Sequence, residues 1–310
     1  MKVLDQQEGS NWIAYQGDSA EVVRGLPDES IHYTIFSPPF ASLYTYSSSP
    51  RDMGNCSNDA DFAEHFAHLV PELLRVTKPG RLLSFHCMQL PMSKVRDGEI
   101  GLKDFRGDLI RAFVEAGWIY HSEVCIWKDP VTAMQRTKAL GLLHKTIRKD
   151  SSMSRQGIAD YLVTMRKPGK NPEPVAHTHE EFPVQMWQRY ASPVWAVADG
   201  VDDEGFAVVG QDINPSETLQ HRSARDDKDE RHICPLQLEV IRRGVRLWTN
   251  PGDTVLSPFG GIGSEGVVAL EEGRRAVLIE LKRSYYEQQT RNLAAAGTDR
   301  QCSLFDEATR

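Results

Sequence analysis

At 310 residues, 40% hydrophobic and 25% charged, the chain can bury a sizeable core as one large α/β domain with insertions or as two domains. No apolar run approaches the ~18 residues of a membrane span, and the opening "MKVLDQQEGSNW" lacks a signal-peptide core, which predicts a cytoplasmic protein. A formal charge of −7 argues against a uniformly basic, nucleic-acid-coating surface, so any such contact must come from a local excess of Lys and Arg.

In chain order, short apolar or β-branched runs bounded by turn residues predict strands at 12–16 and 33–37, the second being "YTIFS". Residues 40–58, rich in Ser, Tyr, Asn and Gly, read as a surface loop. A helix follows over 59–80, with apolar residues three and four apart and a Pro-Gly stop; then come a strand at 81–87, a helix at 104–118 ending near Gly117, and a strand at 120–127. Residues 131–170 carry nine Lys and Arg against Asp150 and Asp160, and include a strand at 161–167. Residues 168–232 show acidic clusters, prolines and no clear period, as expected of an insertion. The remainder alternates again: helix 235–252, strand 253–257, helix 264–273, strand 275–281, helix 283–294, and a tail expected to be disordered from Gly297. Seven strands alternating with helices predict a mostly parallel, doubly wound α/β sheet. Cys56, Cys87, Cys125, Cys234 and Cys302 have no C-x-x-C spacing, so neither a disulfide framework nor a zinc or other metal site is expected.

Two stretches carry chemistry. "SPFGGIGSEG" (257–266) places Phe259, Gly261 and Gly263 as FxGxG at a strand-to-helix turn, where glycines admit a ligand to the backbone and the helix start offers free N–H groups. Glu280, at the end of the next strand, is placed to accept both hydroxyls of a ribose. A tight turn or a nicotinamide site would use similar parts, and the absence of Gly-Lys-Ser/Thr excludes a P-loop. "SPPF" (37–40) is more specific. Pro39 has no N–H and Pro38 is locked in φ, so the Pro38 carbonyl stays unspent. Ser37 adds a second acceptor and Phe40 a stacking face. Two acceptors and a ring suit a planar heterocycle bearing an exocyclic amine, whose lone pair is freed when both N–H groups are held.

These residues resemble the amino-methylating DNA methyltransferases that use S-adenosylmethionine, whose catalytic motif is (Asp/Asn/Ser)-Pro-Pro-(Tyr/Phe) and whose cofactor motif is FxGxG. The order here, SPPF first and FxGxG last, is similar to the circularly permuted β class, in phage, prophage or restriction–modification settings. The flanks "YQGDSAEVVRGLPDESIHYTIFSPPF" and residues 231–286 extend the resemblance over about half the chain. The resemblance implies a circularly permuted, seven-stranded Rossmann-like sheet. Its catalytic half is 1–128, its basic stretch and target-recognition insertion 129–230, its cofactor half 231–295 and its flexible tail 296–310.

Carried onto this sequence, the resemblance has Ser37, Pro38, Pro39 and Phe40 hold the base. Phe259, Gly261 and Gly263 line the methionine part of the cofactor, and Glu280 holds its ribose. Asp18 holds its adenine amine, unless it is an ordinary turn residue. His232 and Pro235 fall where the class has a further cofactor segment, although "HICP" departs from its usual spelling. Ser257 departs again, since the class usually has Asp before Pro-Phe. No Pro-Cys pair is present near the motif, which rejects ring-carbon methylation; the chemistry expected is direct transfer to an amine. In the family, Ser-Pro-Pro is more often associated with cytosine N4 than with adenine N6, and cytosine N4 is the favoured target. RNA or amide methyltransferases sharing this solution usually place FxGxG first. A non-catalytic DNA-binding protein would leave both motifs unexplained.

Double-stranded DNA is the expected partner, contacted by "QRTKALGLLHKTIRKDSSMSRQG" (135–157), with Arg148, Lys149 and Arg155 as candidates, unless this is only a solvated basic face. In the tail, Gln301-Cys302-Ser303-Leu304-Phe305 resembles the peptide by which bacterial proteins bind the replicative sliding clamp; a bland tail is the alternative.

Overall fold

The computed structural model describes residues 3–40, 59–92, 94–131, 148, 150–153, 155–220 and 235–307. Its strands are β1 Asp5–Glu8, β2 Trp12–Gln16, β3 Ile31–Phe36, β4 Thr77–Met88, β5 Leu90–Met92, β6 Gly101–Lys103, β7 Ile119–Ile126, β8 Asp160–Arg166, β9 Val194–Trp195, β10 Val197–Val201, β11 Ala207–Gly210, β12 Thr254–Ser257 and β13 Arg275–Glu280. Its α-helices are α1 Ser19–Val23, α2 Asp59–Val76, α3 Lys94–Asp97, α4 Phe105–Glu115, α5 Val184–Tyr190, α6 Leu238–Trp248, α7 Ser264–Glu271 and α8 Arg283–Glu307.

All seven predicted strands form, and they make the interior of one sheet ordered β1-β2-β13-β12-β3-β4-β8-β7-β9. From β2 to β4 the neighbours are parallel, whereas β8 runs antiparallel to both β4 and β7. The expected seven strands become nine because two short edges join. β1 folds back on β2 as a hairpin, and β9, from the insertion, pairs in parallel with β7.

The central strands are apolar on both faces, as strands covered by helices on each side must be. On β3, Tyr33 and Ile35 face α6 and α7, in a core with Val240, Ile241, Val245, Val268 and Leu278. Phe36 faces the other way, into a core with Phe66, Leu69 and Leu73 of α2, Phe113 of α4, and Phe85.

Two boundaries differ from the sequence reading. Helix α2 ends at Val76, and Pro79-Gly80 lies inside the start of β4, beside a shift of the β3–β4 register between Ile31 and Tyr33. Gly80 has φ +70°, and a Cβ there would come within 2.6 Å of the Asn171 backbone, so the pair marks a strand irregularity under a close chain approach and not a helix stop. At the other end, α8 continues to Glu307, through the segment from 296 expected to be flexible. The strong helix formers Leu293 to Ala296 carry it past Gly297.

The insertion is tied to the body through Arg243 of α6. That side chain is fully buried, bonds Asp212 at 2.6 Å and Glu239 at 3.0 Å, and lies under the rings of Tyr190 and Trp195.

Candidate active site

After β12 the chain crosses through α7 to β13 on one side; after β3 it crosses through α2 to β4 on the other. The carboxyl ends of β12 and β3 therefore flank the point where the winding reverses, which is where open α/β sheets bind ligands. The two sequence motifs sit there. SPPF follows β3, the glycine loop follows β12, and the Phe36 and Phe259 rings meet at 5.7 Å between centroids. More than 200 residues of sequence separate motifs that share one sheet edge.

On the β12 side the backbone does most of the holding. Gly260 donates its N–H to the Ile279 carbonyl at 2.8 Å, and Gly263, at φ +96°, caps α7 in the left-handed conformation. Gly261, at φ +50°, would carry a Cβ into open space, so the loop presents bare backbone there. Its N–H donates to Glu280 Oε2 at 2.9 Å, and the Lys282 N–H donates to Glu280 Oε1 at 2.8 Å. Each Glu280 oxygen is thereby oriented while keeping acceptor capacity. Asp18 ends the β2 segment beside it and caps α1 through the Glu21 N–H at 3.1 Å. Ser257 is buried with its hydroxyl unpartnered. The Ser19 hydroxyl ties the loop to the start of α1 by donating to the Pro258 carbonyl. Glu265, in the first turn of α7, is buried; burial, with the Glu280 charge adding to it, pushes its carboxyl up to about 8.

On the β3 side the side chains form a row. Ser37 is half-buried and Pro38 buried. Ser37 Oγ lies 3.3 Å from His86 Nδ1 and 3.5 Å from the His86 carbonyl. His86 Nε2 is 2.8 Å from Asp160 Oδ2, and Asp160 pairs with Lys128 Nζ. Burial would raise the Asp160 carboxyl, but the Lys128 ammonium and His86 outweigh it and hold it down at about 2. Phe40 is half-buried, its ring edge-on to Phe105 at 6.2 Å. Cys87 points into the core, its thiol pushed well above the ordinary range by burial, and offers no thiolate to this edge.

The profile of the DNA methylase family matches residues 31–291, a span that includes both motifs and everything between them. The chain belongs to the N6/N4 DNA methylase family. Type II methyltransferase M.Cfr9I of Citrobacter freundii is 25% identical over 295 residues, covering 92% of this chain and 88% of that protein. DNA adenine methyltransferase YhdJ of Escherichia coli K12 is 34% identical over 70 residues, 23% of this chain and 24% of that one. Among solved structures, the PvuII cytosine-N4-specific DNA methyltransferase shares the fold with a TM-score of 0.62 at 17% identity, covering 94% of this chain and 90% of that one. The Thermus thermophilus protein TTHA0409, complexed with S-adenosyl-L-methionine, does so with a TM-score of 0.62 at 21% identity, over 91% and 94%.

S-adenosylmethionine is the cofactor of a DNA methylase of this kind, and the residues of the β12 side fit it. The Glu280 carboxylate could hold the ribose, the bare backbone at Gly261 leaves room for the methionine portion, and Asp18 follows Gly17, whose N–H donates to the Glu280 carbonyl at 3.1 Å, where it could meet the adenine. Ser37 to Phe40 lie next to that loop across the switch point.

The remaining expected residues are dispersed. Pro235 lies in the half-buried approach to α6, and His232 falls outside the described residues. Arg148 is exposed and Lys149 is not described. Arg155 is half-buried, five residues ahead of β8, its guanidinium pushed below its ordinary range by burial. Sequence reasoning missed His86, Asp160, Lys128 and Glu265. The first three come from three different strands or strand ends, and no local pattern joins them. His32, Glu173 and Asp253 also converge, with ligand atoms within 4.8 Å, but at the opposite edge of the sheet and already engaged by Thr254 N–H, Lys78 and Arg81 respectively.

Proposed function

We propose that this DNA methylase acts on the N4 amine of cytosine in double-stranded DNA, flipped out of the helix into the edge between β3 and β12. The observation that carries the reading is the Ser37 hydroxyl and Pro38 carbonyl ending β3 beside the glycine loop. Bound S-adenosylmethionine supplies an electrophilic methyl group on a sulfonium. The protein's own part is to accept both N–H groups of the amine, at Ser37 Oγ and the Pro38 carbonyl. That favours a pyramidal nitrogen with its lone pair aimed along the transfer line. Extrusion of the base costs a few kcal/mol, offset in part by contact with Phe40.

Ser37 favours cytosine, and the cytosine-N4-specific PvuII enzyme shares the fold. Adenine N6 is the second reading, favoured by the 70-residue match to the adenine methyltransferase YhdJ. The stretch 135–157 is read as the phosphate-contacting face, with Arg148, Lys149 and Arg155 in it. Residues 301–305 are read as a docking peptide for the sliding clamp; their backbone is helical here, so an extended docked form requires that turn to unwind. A pull-down with clamp, with and without Leu304→Ala/Phe305→Ala, tests this, and equal retention ends it.

The deciding experiment is mass spectrometry of nucleosides from a methylation-free host expressing the protein, beside a Pro38→Ala control. N4-methylcytosine is expected. N6-methyladenine transfers the same mechanism to the second reading, and no mark in either base overturns both.

A further inference from the structure

An aspartate or asparagine ahead of Pro-Pro offers the amine an oxygen that is always an acceptor. A serine does not, because a hydroxyl is donor and acceptor at once. A hydroxyl proton pointed at the amine would oppose the transfer it is meant to assist. Something must take that proton, and among the described residues the two acceptors bonded to Ser37 Oγ belong to one residue: His86 Nδ1 at 3.3 Å and the His86 carbonyl at 3.5 Å.

Nδ1 accepts only if the ring's proton resides on Nε2. Nε2 lies 2.8 Å from Asp160 Oδ2, and an ionised carboxylate can only accept, so the ring must donate there. Lys128 keeps that carboxylate ionised by pairing with it inside a site where Asp160 is 2% exposed. The sheet order β3-β4-β8-β7 makes this row possible. Ser37 follows β3, His86 is near the end of β4, Asp160 opens the antiparallel β8 opposite Met88 and Ile126, and Lys128 follows β7.

We propose that His86 is a positioning residue that makes the Ser37 hydroxyl an obligate acceptor for the substrate amine, its tautomer fixed by Asp160 and Lys128. The inference rests on the amino-methyltransferase reading above. It assigns to three side chains from separate strands the task that one carboxylate or amide oxygen performs in the Asp- or Asn-Pro-Pro motif.

Two near-isosteric variants separate this role from a merely structural one. His86→Asn keeps an oxygen near the Nδ1 position facing Ser37 and loses the reach to Asp160. His86→Gln keeps an amide donor for Asp160 and loses the ring acceptor 3.3 Å from Ser37 Oγ, leaving only the more distant main-chain carbonyl at 3.5 Å. Single-turnover methyl transfer from tritiated S-adenosylmethionine to DNA of a methylation-free host is the readout, with cofactor affinity by calorimetry and thermal melting alongside. His86→Gln is expected to slow transfer by roughly 10–100-fold with cofactor affinity unchanged, and His86→Asn to stay within about fivefold of wild type. In a Ser37→Ala background, His86→Gln should add less than about twofold, because its effect runs through Ser37. A His86→Gln enzyme as fast as His86→Asn, or additive effects in the double variant, overturns the proposal. Nitrogen-15 NMR of the free wild-type protein reads the tautomer without turnover: a proton on Nε2 is expected, and one on Nδ1 overturns the inference. If wild-type protein transfers no methyl, the amino-methyltransferase reading fails, and the NMR result still decides the hydrogen-bond row.

Discussion

Two buried polar clusters lie at opposite ends of the same strands, and they are built on opposite principles. At the amino edge, His32 of β3, Arg81 of β4 and Asp253 before β12 meet Glu173 and Lys78. His32 Nδ1 accepts from the Thr254 N–H at 3.0 Å, and its Nε2 faces Glu173 at 3.2 Å. Arg81 donates to the His32 carbonyl at 3.1 Å, to the Glu173 carbonyl at 3.0 Å and to Asp253, while Asp253 also accepts the Asn250 N–H at 2.8 Å. Burial keeps the His32 ring below its ordinary range, with the Asp253 charge opposing. These bonds engage the opposing charges with one another, which is how buried charge is tolerated. At the carboxyl edge the bonds do not close. The Ser257 hydroxyl, Asp160 Oδ1 and both polar atoms of Gln289 are buried and unpartnered. The amino-edge cluster pairs its charges with one another, whereas the carboxyl edge keeps polar atoms without a protein partner among the described residues, although both contain a histidine, an aspartate and a cation.

The largest expected effect tests the amino-edge cluster. Arg81→Met leaves the buried Asp253 without its cation, while Glu173 keeps Lys78, and should cost about 3–5 kcal/mol in urea unfolding, while the folded fraction transfers methyl at the wild-type rate. A matching fall in rate would mean that the two edges are not separate. Ser37→Ala is the mirror experiment: single-turnover transfer should drop about 10²–10³-fold with stability changed by less than about 1 kcal/mol. Glu280→Gln should weaken S-adenosylmethionine by roughly tenfold to a hundredfold in calorimetry with the melting temperature little changed.

The smallest effect concerns Glu265, the buried carboxyl of the open edge. Its folded value of about 8 lies above the ordinary 4.5, so the stability due to its neutral form is full below pH 4.5 and is lost as pH rises through 8. Glu265→Gln should remove that decline and raise the unfolding free energy more at pH 8 than at pH 4.5. Parallel curves for both proteins would show that Glu265 is ionised in the fold.

Much of the fold and half of the site are legible in the residue order. The seven interior strands, SPPF, FxGxG and Glu280 are local patterns, each set by the period of one strand or the geometry of one turn, and all seven strands form. The Pro-Gly at 79–80 misleads because the same dipeptide ends a helix or kinks a strand, and only the Asn171 backbone lying against Gly80 distinguishes the two. The helix runs on past Gly297 because a single glycine weighs less than the alanines before it. His86 and Asp160 are illegible: on the sequence each is one polar residue beside an apolar run, and the first is more often core than site.

Residue order alone dictates which segments become strands and helices, and that an SPPF motif and a glycine-rich turn are both present. It can do so because hydrophobic period, proline and glycine act within a few residues. The folded sheet dictates what those motifs are next to. Winding in opposite directions from β12 and β3 sets the two loops side by side, and the antiparallel β8 carries Asp160 to the edge where it meets His86 and Lys128. Hydrogen bonds and charge pairs depend on distances of a few ångströms across strands, and only the order of the sheet sets those distances.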